Sequence, residues 1–171
     1  MHGSLAGTPA RTQDPCGMKK RYRPNVAAIL QRPNGLVLIA QRSDYPESWQ
    51  FPQGGVDRDE SSEEAVRREI EEEVGIAPEA YTIAAQSGPH RYDFPGGFDR
   101  RGHAGQEQVY FLCRLHEDEP PAIDLAKTCG EFTAVRWVPV AGFPVHLAPP
   151  MKQAVYREVL QLLFDVGGDS D

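Results

Sequence analysis

Residues 68–75 read REIEEEVG and place Glu69, Glu71, Glu72 and Glu73 within five positions. Acidic pairs three and four apart on a helix repel by roughly a few tenths of a kcal/mol each, so this density must return something. On a wheel of about 100° per residue, Val66, Ile70 and Val74 form an apolar stripe, and Ala65 lies across a gap. Glu69 and Glu73 fall inside that gap, Glu72 sits at its Ala65 edge, and Arg67 and Glu71 point to the solvent face. Arg68 is spaced to reach Glu72, and Arg67 to reach Glu71, but no basic residue on the helix is spaced to meet Glu69 or Glu73. Carboxylates withdrawn from water need compensation. Hard divalent cations supply it through oxygen ligands, and magnesium characteristically takes one or two carboxylates, several waters and substrate phosphates.

Several elements must hold these residues. The helix is expected to start near Ser61, which has capping-box spacing to Glu64, and to stop at Gly75. Residues 25–31 and 36–42 are apolar runs on either side of the turn Pro33-Asn34-Gly35, which predicts a hairpin. Residues 49–55 predict one short extended piece interrupted by Pro52 and two glycines, and 81–87, 106–115 and 132–139 predict further strands. A second helix is expected over 149–164, with Val155, Val159, Leu162 and Leu163 on its apolar face. A mixed sheet between two helices is the simplest α/β arrangement of these pieces. Residues 1–20 lack periodic apolar patterning and are expected to be a disordered extension, 21–165 the folded domain and 166–171 a frayed end.

The spacing around the acidic cluster carries a resemblance. Gly54 is followed by five residues and Glu60, then by seven residues and Arg68-Glu69-Ile70, one residue, Glu72-Glu73, one residue and Gly75-Ile76. This is similar to the Nudix signature at every fixed position. RYRPNVAAIL (21–30), SWQFPQGG (48–55), GQEQVYFL (105–112), EFTAVRWVP (131–139) and KQAVYREVL (152–160) extend the likeness. They resemble the Nudix branch that contains bacterial RNA pyrophosphohydrolases and dinucleoside polyphosphate hydrolases.

The resemblance implies a Nudix-type αβα sandwich with a mixed β-sheet, and a loop-helix-loop that binds Mg2+ or Mn2+. By position it makes Glu69, Glu72, Glu73 and Glu131 metal ligands, with Glu69, Glu73 and Glu131 open as alternatives for the general base. Glu60, Arg68 and Gly75 are implied to shape the box, Glu60 and Arg68 through a salt bridge. Arg23, Arg42, Gln53, Gly54, Gly55 and Lys152 are implied to meet the substrate. Trp49 and Tyr92 are each either a base-stacking or a core aromatic, and Met151 stands where the branch has an apolar base-packing residue.

The implied reaction is metal-dependent hydrolysis of phosphoanhydride bonds, removing pyrophosphate from the 5′-triphosphate of RNA or cleaving diadenosine tetra- or pentaphosphate. A nucleotide-binding domain without activity fits less well, because every glutamate of the box is kept.

Composition constrains the partner. A net charge of −7 argues against gripping nucleic acid through a general basic surface. An RNA enzyme with this charge must recognise mainly the 5′ end. No run approaches the roughly 20 apolar residues of a membrane span, and no protein partner is legible. Cys16, Cys113 and Cys129 are odd in number and scattered, suggesting free thiols. With no apolar signal-peptide core, the expected location is cytoplasmic.

Overall fold

The computed structural model describes residues 19–99, 101–119 and 122–164. Seven strands form one sheet: β1 (Tyr22–Gln31), β2 (Val37–Arg42), β3 (Trp49–Gln50), β4 (Gln53–Gly55), β5 (Tyr81–Asp93), β6 (Gly105–Leu115) and β7 (Phe132–Val138). The helices are α1 (Ser62–Val74) and α2 (Gln153–Phe164). β1 and β6 run parallel over their length, and the other pairings are antiparallel, so the sheet is mixed.

Alternate β1 residues serve two cores. Val26, Ala28 and Leu30 pack towards α1 with Val66, Ile70 and Val74. Ala27 and Ile29 pack towards α2 with Tyr110, Leu112, Val155, Tyr156 and Val159. A strand buried on both faces reads as a continuous apolar run, which is why AAIL shows no alternation. Leu162, expected on the apolar face of α2, is 61% exposed, and Leu160 is buried there in its place.

The hairpin prediction holds only at the turn, where Gly35 takes φ +90°. β1 and β2 share one residue pair, Gln31 with Val37, and then separate. β3 and β4 fill the wedge, β3 against β2 and β4 against β1. Pro52 joins them, its carbonyl accepting Ala28 N at 2.8 Å. The two glycines therefore lie inside a strand and do not interrupt it.

α1 begins and ends where its sequence places it. Ser61 Oγ accepts Glu64 N, and the Glu64 carboxylate accepts Ser61 N at 2.8 Å, closing a capping box. Gly75 ends the helix at φ +70°. Of the expected N-terminal extension, Lys19 and Lys20 are described, and Lys20 Nζ pairs with Asp93 Oδ2 at 2.9 Å. The rest of it, the expected frayed end and Cys16 lie outside the described residues. Cys113 is a buried free thiol and Cys129 an exposed one. Among the described residues no helix is long and apolar enough to cross a membrane.

Candidate active site

The wedge between β1 and β2 brings β4 beneath α1. Gly54 lies directly under Glu69: a Cβ there would overlap the Glu69 carboxylate, and a Cβ on Gly55 would overlap the Arg23 guanidinium. At both glycines the constraint is the close approach of a side-chain end, which an added Cβ would displace, and not backbone conformation.

The acidic cluster is graded in burial. Glu73 is 3% exposed, and one of its oxygens accepts Gln53 N at 2.8 Å. Burial pushes its pKa up to about 9, and the charges of Glu69 and Glu131 add to the rise. Glu69 is half-buried and shifted upwards by desolvation, which outweighs the lowering effect of Arg68. The Glu72 side chain is 52% exposed, and Glu71 faces solvent. Glu131 is exposed at the start of β7, close enough for its charge to act on Glu73, Lys152 and Arg42.

Arg68 organises the loop ahead of the helix. Its Nε and Nη2 each reach a Glu60 oxygen at 2.8 Å, and Nη2 also donates to Gly55 O at 3.0 Å. Its Nη1 donates to Glu69 Oε1 at 2.8 Å and Glu72 Oε2 at 3.3 Å. Helical spacing had left Glu69 without a partner; the adjacent arginine reaches it by folding along the helix. Arg67 pairs with Glu63 at 3.0 Å, not with Glu71, and stacks over Tyr81, so it is only partly exposed.

Arg68→Lys is expected to destabilise the protein by about 1–2 kcal/mol, because an ammonium cannot reproduce the two-pronged contact with Glu60 together with the Gly55 carbonyl bond. Urea titration checks this. An unchanged midpoint would show that the fork carries no stability.

Among the described residues, no three acidic, histidine or cysteine side chains converge closely enough to hold a metal as they stand. The reason is visible: Arg68 Nη1 lies between Glu69 and Glu72, and Glu73 is turned to Gln53 N. The donor set nevertheless fits a hard divalent cation. It is all oxygen, and Glu73 is a buried carboxylate with no ion-pair partner among the described residues. A cation held by Glu69 and Glu72 would compete with Arg68 Nη1 for their oxygens, whereas Nε and Nη2 are engaged by Glu60.

The remaining predicted substrate residues divide. The Arg23 guanidinium covers Gly55. Arg42 is held by Asp44 through two bonds of 2.8 and 2.5 Å. Lys152, implied to meet the substrate, is 2% exposed, and burial lowers its pKa to about 7. Its Nζ donates to Gln53 Oε1 at 2.5 Å and Gln50 Oε1 at 3.4 Å. Tyr92 is a buried aromatic whose hydroxyl donates to Gln106, and its ring faces Lys152 at 5.5 Å. Trp49 is half-buried beneath the Arg136 guanidinium, and Met151 is half-buried in the turn before α2.

Sequence reasoning missed a buried amide group made of Asn25, Gln50, Gln106 and Gln108. Its one sequence signal was the QEQ of 106–108, where glutamines alternate onto the strand face that carries Tyr110 and Leu112.

The model of the NUDIX domain family matches residues 21–163. The chain belongs to the NUDIX family. Its similarity to curated Nudix relatives extends over most of its length. It is 41% identical over 149 residues to the RNA pyrophosphohydrolase of Helicobacter pylori strain P12, covering 84% of this chain and 94% of that protein. It is also 41% identical over 145 residues to the RNA pyrophosphohydrolase of Hahella chejuensis, covering 82% and 89%. Among solved structures, the Escherichia coli dihydroneopterin triphosphate pyrophosphohydrolase superposes with TM-score 0.65 at 20% identity, over 86% of this chain and all of the other. A Caenorhabditis elegans Ap4A hydrolase gives 0.63 at 20% identity, over 85% and 99%. At that identity the structures speak for the Nudix fold alone, and they agree with the sandwich described above. Nudix hydrolases as a family use divalent cations.

Proposed function

We propose that this chain is a hydrolase that removes pyrophosphate from the 5′-triphosphate end of RNA, with Mg2+ or Mn2+ as cofactor. The observation that carries this reading is about 40% identity, over most of both chains, to relatives named RNA pyrophosphohydrolase. Residues 21–165 are taken as the catalytic unit, and an RNA substrate implies a cytoplasmic enzyme.

Glu69, Glu72 and Glu73 hold the metal, joined by Glu131 across the wedge. Bound there, a divalent cation neutralises phosphate oxygens and makes the attacking water more acidic. Glu73, Glu69 and Glu131 are the alternatives for accepting the water proton. The first two have raised proton affinity from burial, as a general base needs. Gly54 and Gly55 keep the floor of the site low, so Glu69 and Arg23 can stand over it. Arg23 and Arg42 supply positive charge for phosphates beyond reach of the metal. The net charge of −7 fits recognition confined to the RNA end.

A side-by-side rate comparison tests the substrate. Triphosphorylated short RNA is expected to be cleaved with kcat/KM at least about tenfold above diadenosine tetraphosphate, ~1.4 kcal/mol in transition-state binding. The reverse preference would move the chain to the dinucleoside polyphosphate hydrolases, and release from neither would leave it a binding domain.

A further inference from the structure

One amide in this site has its orientation dictated by its neighbours. Gln53 Oε1 accepts Lys152 Nζ at 2.5 Å and Gln108 Nε2 at 2.7 Å. Gln108 Nε2 also donates to Asn25 Oδ1 at 2.5 Å, while Gln108 Oε1 accepts the Tyr110 hydroxyl at 2.6 Å. Gln108 is fully buried, and Lys152 and Asn25 are nearly so. In its charged form Lys152 can only donate, and the atom of Gln53 that faces it is then the carbonyl oxygen. That oxygen in turn requires a donor from Gln108, which leaves the Gln108 carbonyl for Tyr110. With Lys152 charged, the chain of bonds has one consistent reading, and it fixes the remaining group, Gln53 Nε2.

That nitrogen has no bond among the described residues. Among the described residues the fully buried side-chain polar atoms lacking partners are Arg32 Nε, Ser48 Oγ and Tyr81 OH, so Gln53 Nε2 is not fully buried. It belongs to the residue whose backbone N–H holds Glu73 and whose neighbour Gly54 underlies Glu69. A flipped amide would turn its oxygen towards an anionic phosphate and repel it.

We propose that Gln108 is a positioning residue which, with Lys152, locks the Gln53 amide so that Nε2 is a fixed hydrogen-bond donor to a phosphate oxygen of the substrate. Gln108 does not touch that substrate. It acts through Gln53, from the face of the sheet opposite α1. The inference rests on the phosphohydrolase reading above and deepens it.

The test is a double-mutant cycle. Gln108→Leu removes the bonds to Gln53, Asn25 and Tyr110 and leaves Lys152 as the one partner of the Gln53 carbonyl. Gln108→Glu has the same shape and keeps an acceptor for Tyr110, but offers one donor at most, when protonated, where the amide gives two, so it cannot hold both Gln53 and Asn25 and stands in if the leucine variant does not fold. Each is assayed alone and combined with Gln53→Ala, on triphosphorylated short RNA, with Mn2+ affinity and pyrophosphate affinity measured in parallel. Each Gln108 variant is expected to lose about tenfold in kcat/KM and to keep its Mn2+ affinity. In the Gln53→Ala background it should cost nothing further, because residues that act through one another are not additive. Unchanged kcat/KM, losses that multiply in the double variants, or a parallel fall in Mn2+ affinity would each overturn the assignment. The two readings fail separately. If RNA ends are left intact while Mn2+-dependent pyrophosphate binding weakens about tenfold in Gln108→Glu, the positioning role stands and the RNA substrate falls. If RNA is cleaved equally by wild type and both variants, the reverse holds. If neither RNA cleavage nor pyrophosphate binding is found, both fall.

Discussion

Glu73→Gln lowers turnover by roughly a thousandfold, ~4 kcal/mol of transition-state stabilisation, and stabilises the metal-free protein at neutral pH. The two effects share one cause. A carboxylate that is 3% exposed, with a single backbone N–H as its partner, is held at a cost in the absence of metal. Its folded pKa of about 9 lies above its ordinary 4.5, so the folded state binds more protons than the unfolded chain between those values. Stability therefore falls as pH rises through that window. Glu69, also shifted upwards, acts in the same direction. Lys152 acts oppositely, because its folded pKa of about 7 lies below its ordinary 10.5, so its contribution recovers as pH rises between those values. The clean interval is thus about pH 5 to 7. Urea titrations in chelator should show the wild-type midpoint falling across that interval and Glu73→Gln falling less. Added Mn2+ should restore the wild type and not the variant. A variant that turns over at the wild-type rate would remove Glu73 from the metal site.

Gly54→Ala is expected to cost about a hundredfold in kcat/KM, ~2.7 kcal/mol, with a stability change within roughly 1 kcal/mol. The φ of Gly54 lies outside the left-handed region, so alanine can adopt the backbone. The added methyl group instead occupies the place of the Glu69 carboxylate, which must swing away. Gly55→Ala meets the end of the Arg23 side chain and should do less, because a guanidinium on a flexible stem moves aside more cheaply. Kinetics and Mn2+ affinity of the two variants separate these cases. Equal, small losses in both would mean that the Glu69 position does not matter.

Local signals made α1 legible. The Ser61 cap, the Gly75 stop and the stripe of Val66, Ile70 and Val74 all lie within one turn of the residues they govern. The two-helix sandwich and mixed sheet followed from the order of apolar runs. The split of β1 from β2 was not legible, because the turn at Pro33-Asn34-Gly35 fixes only the first pair. The later pairings are set by β3, β4, β6 and β7, which arrive from elsewhere in the chain. β5 runs to Asp93, past the predicted end at 87, since pairing with β6 carries it through residues of low strand preference. Lys152 and Gln108 carry polar side chains that a sequence places at the surface. Only the packing of α2 and its leading turn against the sheet buries them, and only their mutual bonds make that burial tolerable. Arg68 was expected at Glu60 and Glu72, and its third arm on Glu69 followed no helical spacing rule.

The most direct test of the account is product analysis on 5′-triphosphorylated RNA labelled in the α- and γ-phosphates, with wild-type protein, Glu73→Gln protein and a chelator control. Wild-type protein with Mg2+ or Mn2+ should yield RNA with a 5′-monophosphate and labelled pyrophosphate, and the variant or the chelator neither product. Intact triphosphorylated RNA under wild-type protein and metal, or equal release by Glu73→Gln, would contradict it.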